Sequence, residues 1–138
     1  MDLFAGSGSI GLEAISRGAK KAYFVEKEKN AVAVIKENIR FTKFEKESEV
    51  LSMDVFSALA SLEQKQAFDV IFMDPPYQHG LEKQVLCQLT NSNMVHEDTL
   101  IVVEAALETD FSYVEALNFE IVKYKKYKTN VHVFLRRK

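Results

Sequence analysis

Short β-rich apolar runs alternate with segments of helical spacing from the first residues to about residue 118, and this alternation constrains the fold more than any other property of the chain. Met1 to Phe4, Ala22 to Val25 ending at Glu26, Glu49 to Ser52 closing on Asp54, Phe68 to Met73 and Leu100 to Glu104 read as strands. Phe68 to Met73 is the strongest buried run, and it stops at Asp74-Pro75-Pro76 because proline cannot continue a ladder. Between the strands, helical spacing covers Ser9 to Arg17, Asn30 to Arg40, Val55 to Leu62, Leu81 to Leu89 and Phe111 to Leu117. Gly18 sits where a glycine would close the first helix. The second helix places Val34, Ile35 and Ile39 inward and Lys36, Glu37 and Arg40 outward. Strand, helix, strand in repetition implies right-handed βαβ units and a parallel sheet covered on both faces. After that, Phe119 to Tyr127 and Val131 to Arg137 alternate about a turn at Thr129-Asn130, an antiparallel hairpin. At 138 residues, without repeat or linker, this is one domain.

Ligands of open parallel sheets bind beyond the carboxyl ends of the strands, and the unusual residues of this chain fall there. Strand one runs into Gly6-Ser7-Gly8-Ser9-Ile10-Gly11, a G-x-G-x-x-G between strand and helix, and Glu26 follows Gly6 by 20 residues at the end of strand two. That arrangement suits a nucleotide-type cofactor, with backbone N–H groups open at the turn and an acid for the ribose hydroxyls. Asp2, before the glycines, is awkward beside a pyrophosphate and suits a cationic amino-acid end such as that of S-adenosylmethionine. Asp54 either accepts a hydrogen bond from the adenine amine or caps the helix that begins at Val55, and the two roles are compatible.

Asp74-Pro75-Pro76-Tyr77 is the sharpest signal. The lone pair of an exocyclic amine on a base is delocalised into the ring. A carboxylate (Asp74) and a stiffly held carbonyl (Pro75), each accepting one N–H, would localise that lone pair and aim it at a methyl donor. Tyr77 offers a stacking face worth ~1–3 kcal/mol for a base, and a base inside a duplex would have to be flipped out to reach it. The plainer alternative is a strand ended by prolines with Tyr77 packed on the surface.

Taken together, Asp2 to Ala14, Ser16-Arg17-Gly18-Ala19, Val25-Glu26 and Asp74 to Tyr77 resemble the RsmD-type enzymes. These are bacterial methyltransferases that use S-adenosylmethionine to methylate N2 of a guanosine in small-subunit (16S) ribosomal RNA. The resemblance runs along essentially the whole chain. It implies a Rossmann-like class I methyltransferase fold, mostly parallel with the closing antiparallel hairpin. It also implies cofactor contacts from Asp2, Phe4, Gly6, Ser7, Gly8, Gly11, Glu26, Lys27, Asp54 and Val55, and a target base held by Asp74, Pro75, Pro76 and Tyr77. The implied partner is ribosomal RNA or a small-subunit assembly particle, met by a cytoplasmic monomer. Family members carry a basic, arginine-bearing arm before the glycine motif, whereas this sequence starts inside strand one, so it reads as lacking that arm and the start of the strand. Two further readings stay open: an N6-adenine or glutamine-amide methyltransferase on the same chemistry, and a non-catalytic RNA-binding module on the same fold.

Charge bears on the partner. The formal net charge of −2 excludes coating of nucleic acid by bulk charge. It conceals a +6 segment from Phe119 to Lys138, carried by Lys123, Lys125, Lys126, Lys128, Arg136, Arg137 and Lys138, against −8 for the rest. Alternation puts Lys123 and Lys125 on a solvent face, where lysines also block edge pairing. Tyr124, Tyr127 and Phe134 read as core or hairpin packing. His79, His96 and His132 lie apart with no metal-ligand spacing, so no metal is expected, and Cys87 reads as a small buried hydrophobe in a reducing setting. No apolar run reaches the ~18–20 residues of a membrane span, and the first residues lack the features of a secretory signal.

Overall fold

The computed structural model describes residues 1–77 and 79–138. It comprises two compact units, Met1–Ala60 and Ser61–Lys138.

In the first unit, β1 (Asp2–Leu3), β2 (Ala22–Glu26) and β3 (Ser48–Ser52) pair in parallel in the order β3-β2-β1. Helix α1 (Ser9–Ser16) and helix α2 (Lys29–Thr42) connect them. Arg17 ends α1, and Gly18 at φ 110° lets the chain fold back so that the N–H groups of Gly18 and Ala19 reach the carbonyls of Ile15 and Ala14. This is the closing turn the glycine announced. Leu12 and Ile15 from α1, Ala22 and Phe24 from β2, and Ile35 and Ile39 from α2 form the core. Val34 is not on the inward face of α2: Val32 takes that place and Val34 is 44% exposed. The buried row is spaced three and four residues apart, which Val32, Ile35 and Ile39 satisfy and Val34 does not. Helix α3 (Val55–Leu62) begins just past β3.

In the second unit the order is β4-β5-β7-β6. Strand β4 (Phe68–Met73) runs parallel to β5 (Val95–Ala106), while β7 (Asn130–Arg137) is antiparallel to both β5 and β6 (Phe119–Lys126). Helix α4 (Leu81–Leu89) follows β4. Strand β4 is less buried than its composition implies, since Asp69 and Val70 are exposed where the register with β5 shifts. Strand β5 starts five residues earlier than its apolar run. Its polar His96-Glu97-Asp98-Thr99 stretch stays in the strand because the Thr99 hydroxyl accepts the His96 N–H at 2.9 Å and donates to the Phe68 carbonyl at 2.6 Å.

Phe111 to Leu117 does not form an α-helix. Asp110 holds Ser112 through both carboxylate oxygens, and the bonds that follow span three residues, leaving a single 3₁₀ turn at Glu115–Leu117. In the hairpin, Val131, Val133 and Leu135 are buried on β7, whereas on β6 only Phe119 is. Tyr124 and Tyr127 are thus largely exposed, and Tyr127 makes an edge contact with His132. Cys87 is exposed, because the inward row of α4 is Val85, Leu86 and Leu89.

Candidate active site

In the first unit the predicted cofactor residues gather at the carboxyl ends of the parallel strands. The register pairs Leu3 with Val25 and Glu26 with Ser52, so the loop after β1, Glu26 and the Asp54 turn all leave the sheet on one edge. Helix α1 begins after Gly8, which has no side chain to cap it. Asp2 supplies the missing acceptor: its carboxylate, 3% exposed, takes the Gly11 N–H at 3.2 Å. An anion is favoured at that end of a helix. Glu26 fixes the loop from the other side. The Gly6 N–H donates to its Oε1 at 2.9 Å and the Glu28 N–H to its Oε2 at 3.0 Å. Each carboxylate oxygen keeps a second lone pair, so these bonds leave room to accept two hydroxyls.

Asn38 on α2 was not among the sequence candidates, yet its Nδ2 donates to the Ser7 carbonyl at 3.0 Å and so holds the loop against the helix. A polar residue next to the inward Ile39 was the available signal. Gly6, at φ 58°, faces open space where a Cβ would meet nothing within 4 Å. Phe4 also adopts a positive φ, 59°, where the chain leaves β1. Asp54 caps α3: Ser57 donates its N–H to Oδ1 at 3.0 Å and its hydroxyl to Oδ2 at 2.6 Å. These bonds hold its carboxyl below the usual carboxylate range. Val55 is buried and Lys27 is exposed.

Open space at Gly6, the spare acceptors of Glu26 bonded to that residue, and the buried Asp2 carboxylate bonded to Gly11 suit a ligand bearing an ammonium and a ribose. The acceptor set therefore fits S-adenosylmethionine.

In the second unit, Asp74 to Tyr77 leave β4 beside the end of β5 and the start of β7. A cleft of about 310 Å³ opens there, lined among others by Pro75, Tyr77, Glu82, Glu104, Glu108 and Thr109. That is at the small end of ligand sites. Asp74 has its carboxyl pushed up, first by desolvation and then by the charge of Glu104, with His132 opposing. Desolvation, Asp74 and Glu104 likewise raise the Tyr77 hydroxyl, and a side-chain hydrogen bond with Asn130 partly offsets them. Tyr77 is 42% exposed, so its ring is presented to solvent rather than packed away.

Glu104, Asn130 and His132 were missed as site residues. Asn130 Nδ2 donates to Glu104 Oε1 at 3.0 Å, and His132 Nε2 lies 3.4 Å from Glu104 Oε2. Only the strand register, which pairs Glu104 with His132, brings these together.

The basic tail is not all available to a partner. Arg137 turns inward and donates to the carbonyls of Leu89, Thr90, Ser92 and Val95, while Arg136 donates to the Asp98 carbonyl. Lys138 lies 3.8 Å from Glu115.

The family described as "Conserved hypothetical protein 95" matches residues 1–136. The chain belongs to this family. Its similarity to ribosomal RNA small subunit methyltransferase D of Haemophilus influenzae is 36% identity over 126 residues, covering 91% of this chain and 64% of that protein. Against the protein of the same name in Escherichia coli K12 it is 30% over 116 residues, 84% of this chain and 57% of that one. The chain thus spans about three fifths of the length of these curated relatives. A conserved hypothetical protein of Streptococcus pyogenes superposes with a TM-score of 0.90 at 33% identity, covering 99% of this chain and 84% of its own. The family's mixed α/β, mostly parallel, Rossmann-like fold with C-terminal antiparallel strands is the fold read from the sequence.

Proposed function

We propose that this chain transfers a methyl group from S-adenosylmethionine to the exocyclic N2 amine of a guanosine in small-subunit (16S) ribosomal RNA, in the cytoplasm. The observation that carries the reading is the cleft lined by Pro75 and Tyr77 immediately after Asp74, a proline-stiffened backbone beside an exposed aromatic ring. The cofactor, when bound, supplies an electrophilic methyl on a sulfonium. Asp2 would meet its ammonium, Glu26 its ribose hydroxyls, the Gly6 to Gly8 backbone its body, and Asp54 with Val55 its adenine side.

Asp74 accepts one amine proton of the target base in a hydrogen bond, and the Pro75 carbonyl accepts the other. Together they turn the nitrogen lone pair out of conjugation. Two successive prolines restrict the rotation of that carbonyl, and such alignment supplies a share of the ~7–11 kcal/mol that orientation can contribute. Tyr77 stacks on the extruded base and excludes water from one face. The relatives' names support an RNA substrate, and the solvent-facing lysines of β6, Lys123, Lys125 and Lys126, are placed to neutralise phosphates. Among the described residues no helix is long and apolar enough to cross a membrane.

The test is incubation with methyl-labelled S-adenosylmethionine and small-subunit particles lacking the modification. Label in the RNA supports the reading. Label in DNA or protein alone, or binding of RNA without label, supports one of the alternatives.

A further inference from the structure

We infer that Glu104 is a second base-reading acceptor, which selects guanine by taking its ring N1–H while Asp74 and Pro75 hold the neighbouring amine. This deepens the proposed function and rests on it.

The position follows from strand register. Met73 pairs with Val103 on adjacent parallel strands, so Asp74 and Glu104 are each one residue beyond a paired position at the same edge. Glu104 lines the cleft with Pro75 and Tyr77, and its side chain is 21% exposed. Its orientation is set from behind by β7. Asn130 donates to Oε1 and His132 approaches Oε2, one partner for each oxygen. An ionised carboxylate is acceptor-only with about four lone-pair sites, so the partners on β7 leave acceptor capacity for the cleft. Desolvation first and then the charge of Glu104 push the Asp74 carboxyl up. Two carboxylates that follow paired positions of adjacent strands repel unless donors come between them.

The chemistry of the two candidate bases decides what those donors are. Next to its exocyclic amine, guanine carries a ring N1–H, so that edge presents adjacent donors. Adenine carries a bare ring nitrogen there, whose lone pair would face the Glu104 carboxylate. One carboxylate beside the amine grips either base, whereas two side by side fit only the edge that donates throughout. Glu104 is therefore a specificity-determining residue, and the surrounding Glu82 and Glu108 keep phosphates out of the cleft and leave it to the base.

The experiment uses 16S RNA assembled into particles in which the methylated guanosine is replaced by 2-aminopurine, which keeps the amine and lacks the N1–H. Wild-type protein should prefer guanosine over 2-aminopurine by about ten- to a hundred-fold in kcat/KM, the discrimination one good base contact gives. In Glu104→Gln, whose amide can donate to the bare nitrogen, that preference should collapse to within a few-fold of unity. Equal losses on both substrates, as a merely structural role would produce, would overturn the inference. So would a wild-type protein that does not discriminate, a result that needs no variant to fold. If the wild type transfers no methyl to guanosine N2 at all, the proposed function fails and the inference with it. Transfer with an unchanged preference in Glu104→Gln sinks the inference alone.

Discussion

The ring of Phe24 occupies the space that any side chain on Gly11 would need: a Cβ there would clash with Cε1 and lie 2.8 Å from Cζ. The third glycine of the loop therefore exists for helix-to-strand packing, and Phe24, fully buried, sets how closely α1 and its capping carboxylate lie on β2. Gly11→Ala should destabilise the protein by about 1–3 kcal/mol, the range for overpacking a core. It should also weaken binding of S-adenosylhomocysteine, because the loop is displaced. Adding Phe24→Leu should recover part of the loss. Thermal melts of the double-mutant cycle check this, and strict additivity would show that the two positions are not coupled.

Asp74 sits where its charge is unfavourable. Its carboxyl is pushed up by desolvation and by Glu104, so the native state holds the proton more tightly than the unfolded chain does. Stability is consequently reduced when the group is ionised, and that penalty disappears as pH falls through the native pKa. Asp74→Asn should raise the melting temperature at neutral pH while lowering transfer by at least about a hundred-fold, the scale for losing one preorganised electrostatic contact. The acid limb of wild-type activity should lie above the ordinary carboxylate range. A melting temperature that drops in Asp74→Asn would argue for a structural role.

Asp54 works in the opposite direction. Hydrogen bonds from Ser57 hold its carboxyl down, so the stability it contributes is present above its unfolded pKa and is lost as pH falls through the lower native value. Ser57→Ala should lower the melting temperature at neutral pH, with the difference from wild type shrinking on acidification. It should leave S-adenosylhomocysteine affinity unchanged, whereas Asp54→Ala should reduce it. Calorimetry of both variants separates the capping role from the proposed adenine contact.

Arg137 is a clamp on the fold. Its guanidinium serves four carbonyls between Leu89 and Val95, which a Lys ammonium cannot span. Arg137→Met should lower stability by about 1–3 kcal/mol, the scale for stranded polar groups. In salt titrations of RNA binding, Lys126→Ala should flatten the slope of log affinity against log salt, and Arg137→Lys should not. A flattened slope in Arg137→Lys would return that residue to the RNA face.

How far the sequence could be read depended on whether a signal was local. The Gly6 to Gly11 turn, the proline stop after Met73 and the glycine closing α1 depend on backbone restrictions within a few residues, and each stands where its composition placed it. Val34 and Cys87 were misplaced because hydrophobicity alone does not fix the phase of a helix; the packed row does. Residues 111–117 were read as a helix because the spacing did not reveal that Asp110 and Ser112 would bind each other. Glu104, Asn130 and His132 were invisible for a different reason. Their grouping is made by pairing between β5 and β7, across 26 to 28 residues of sequence. The inward turn of Arg137 likewise depends on long-range pairing, which a count of charges cannot see.

Identification of the nucleoside that receives the methyl tests the proposed transfer directly. After reaction of the wild-type chain with labelled S-adenosylmethionine and unmodified small-subunit particles, the RNA is digested to nucleosides and the labelled one resolved by mass spectrometry. A single labelled species, N2-methylguanosine, is expected, absent with Asp74→Ala at matched protein stability. Label in N6-methyladenosine, or undiminished N2-methylguanosine with Asp74→Ala, would contradict it.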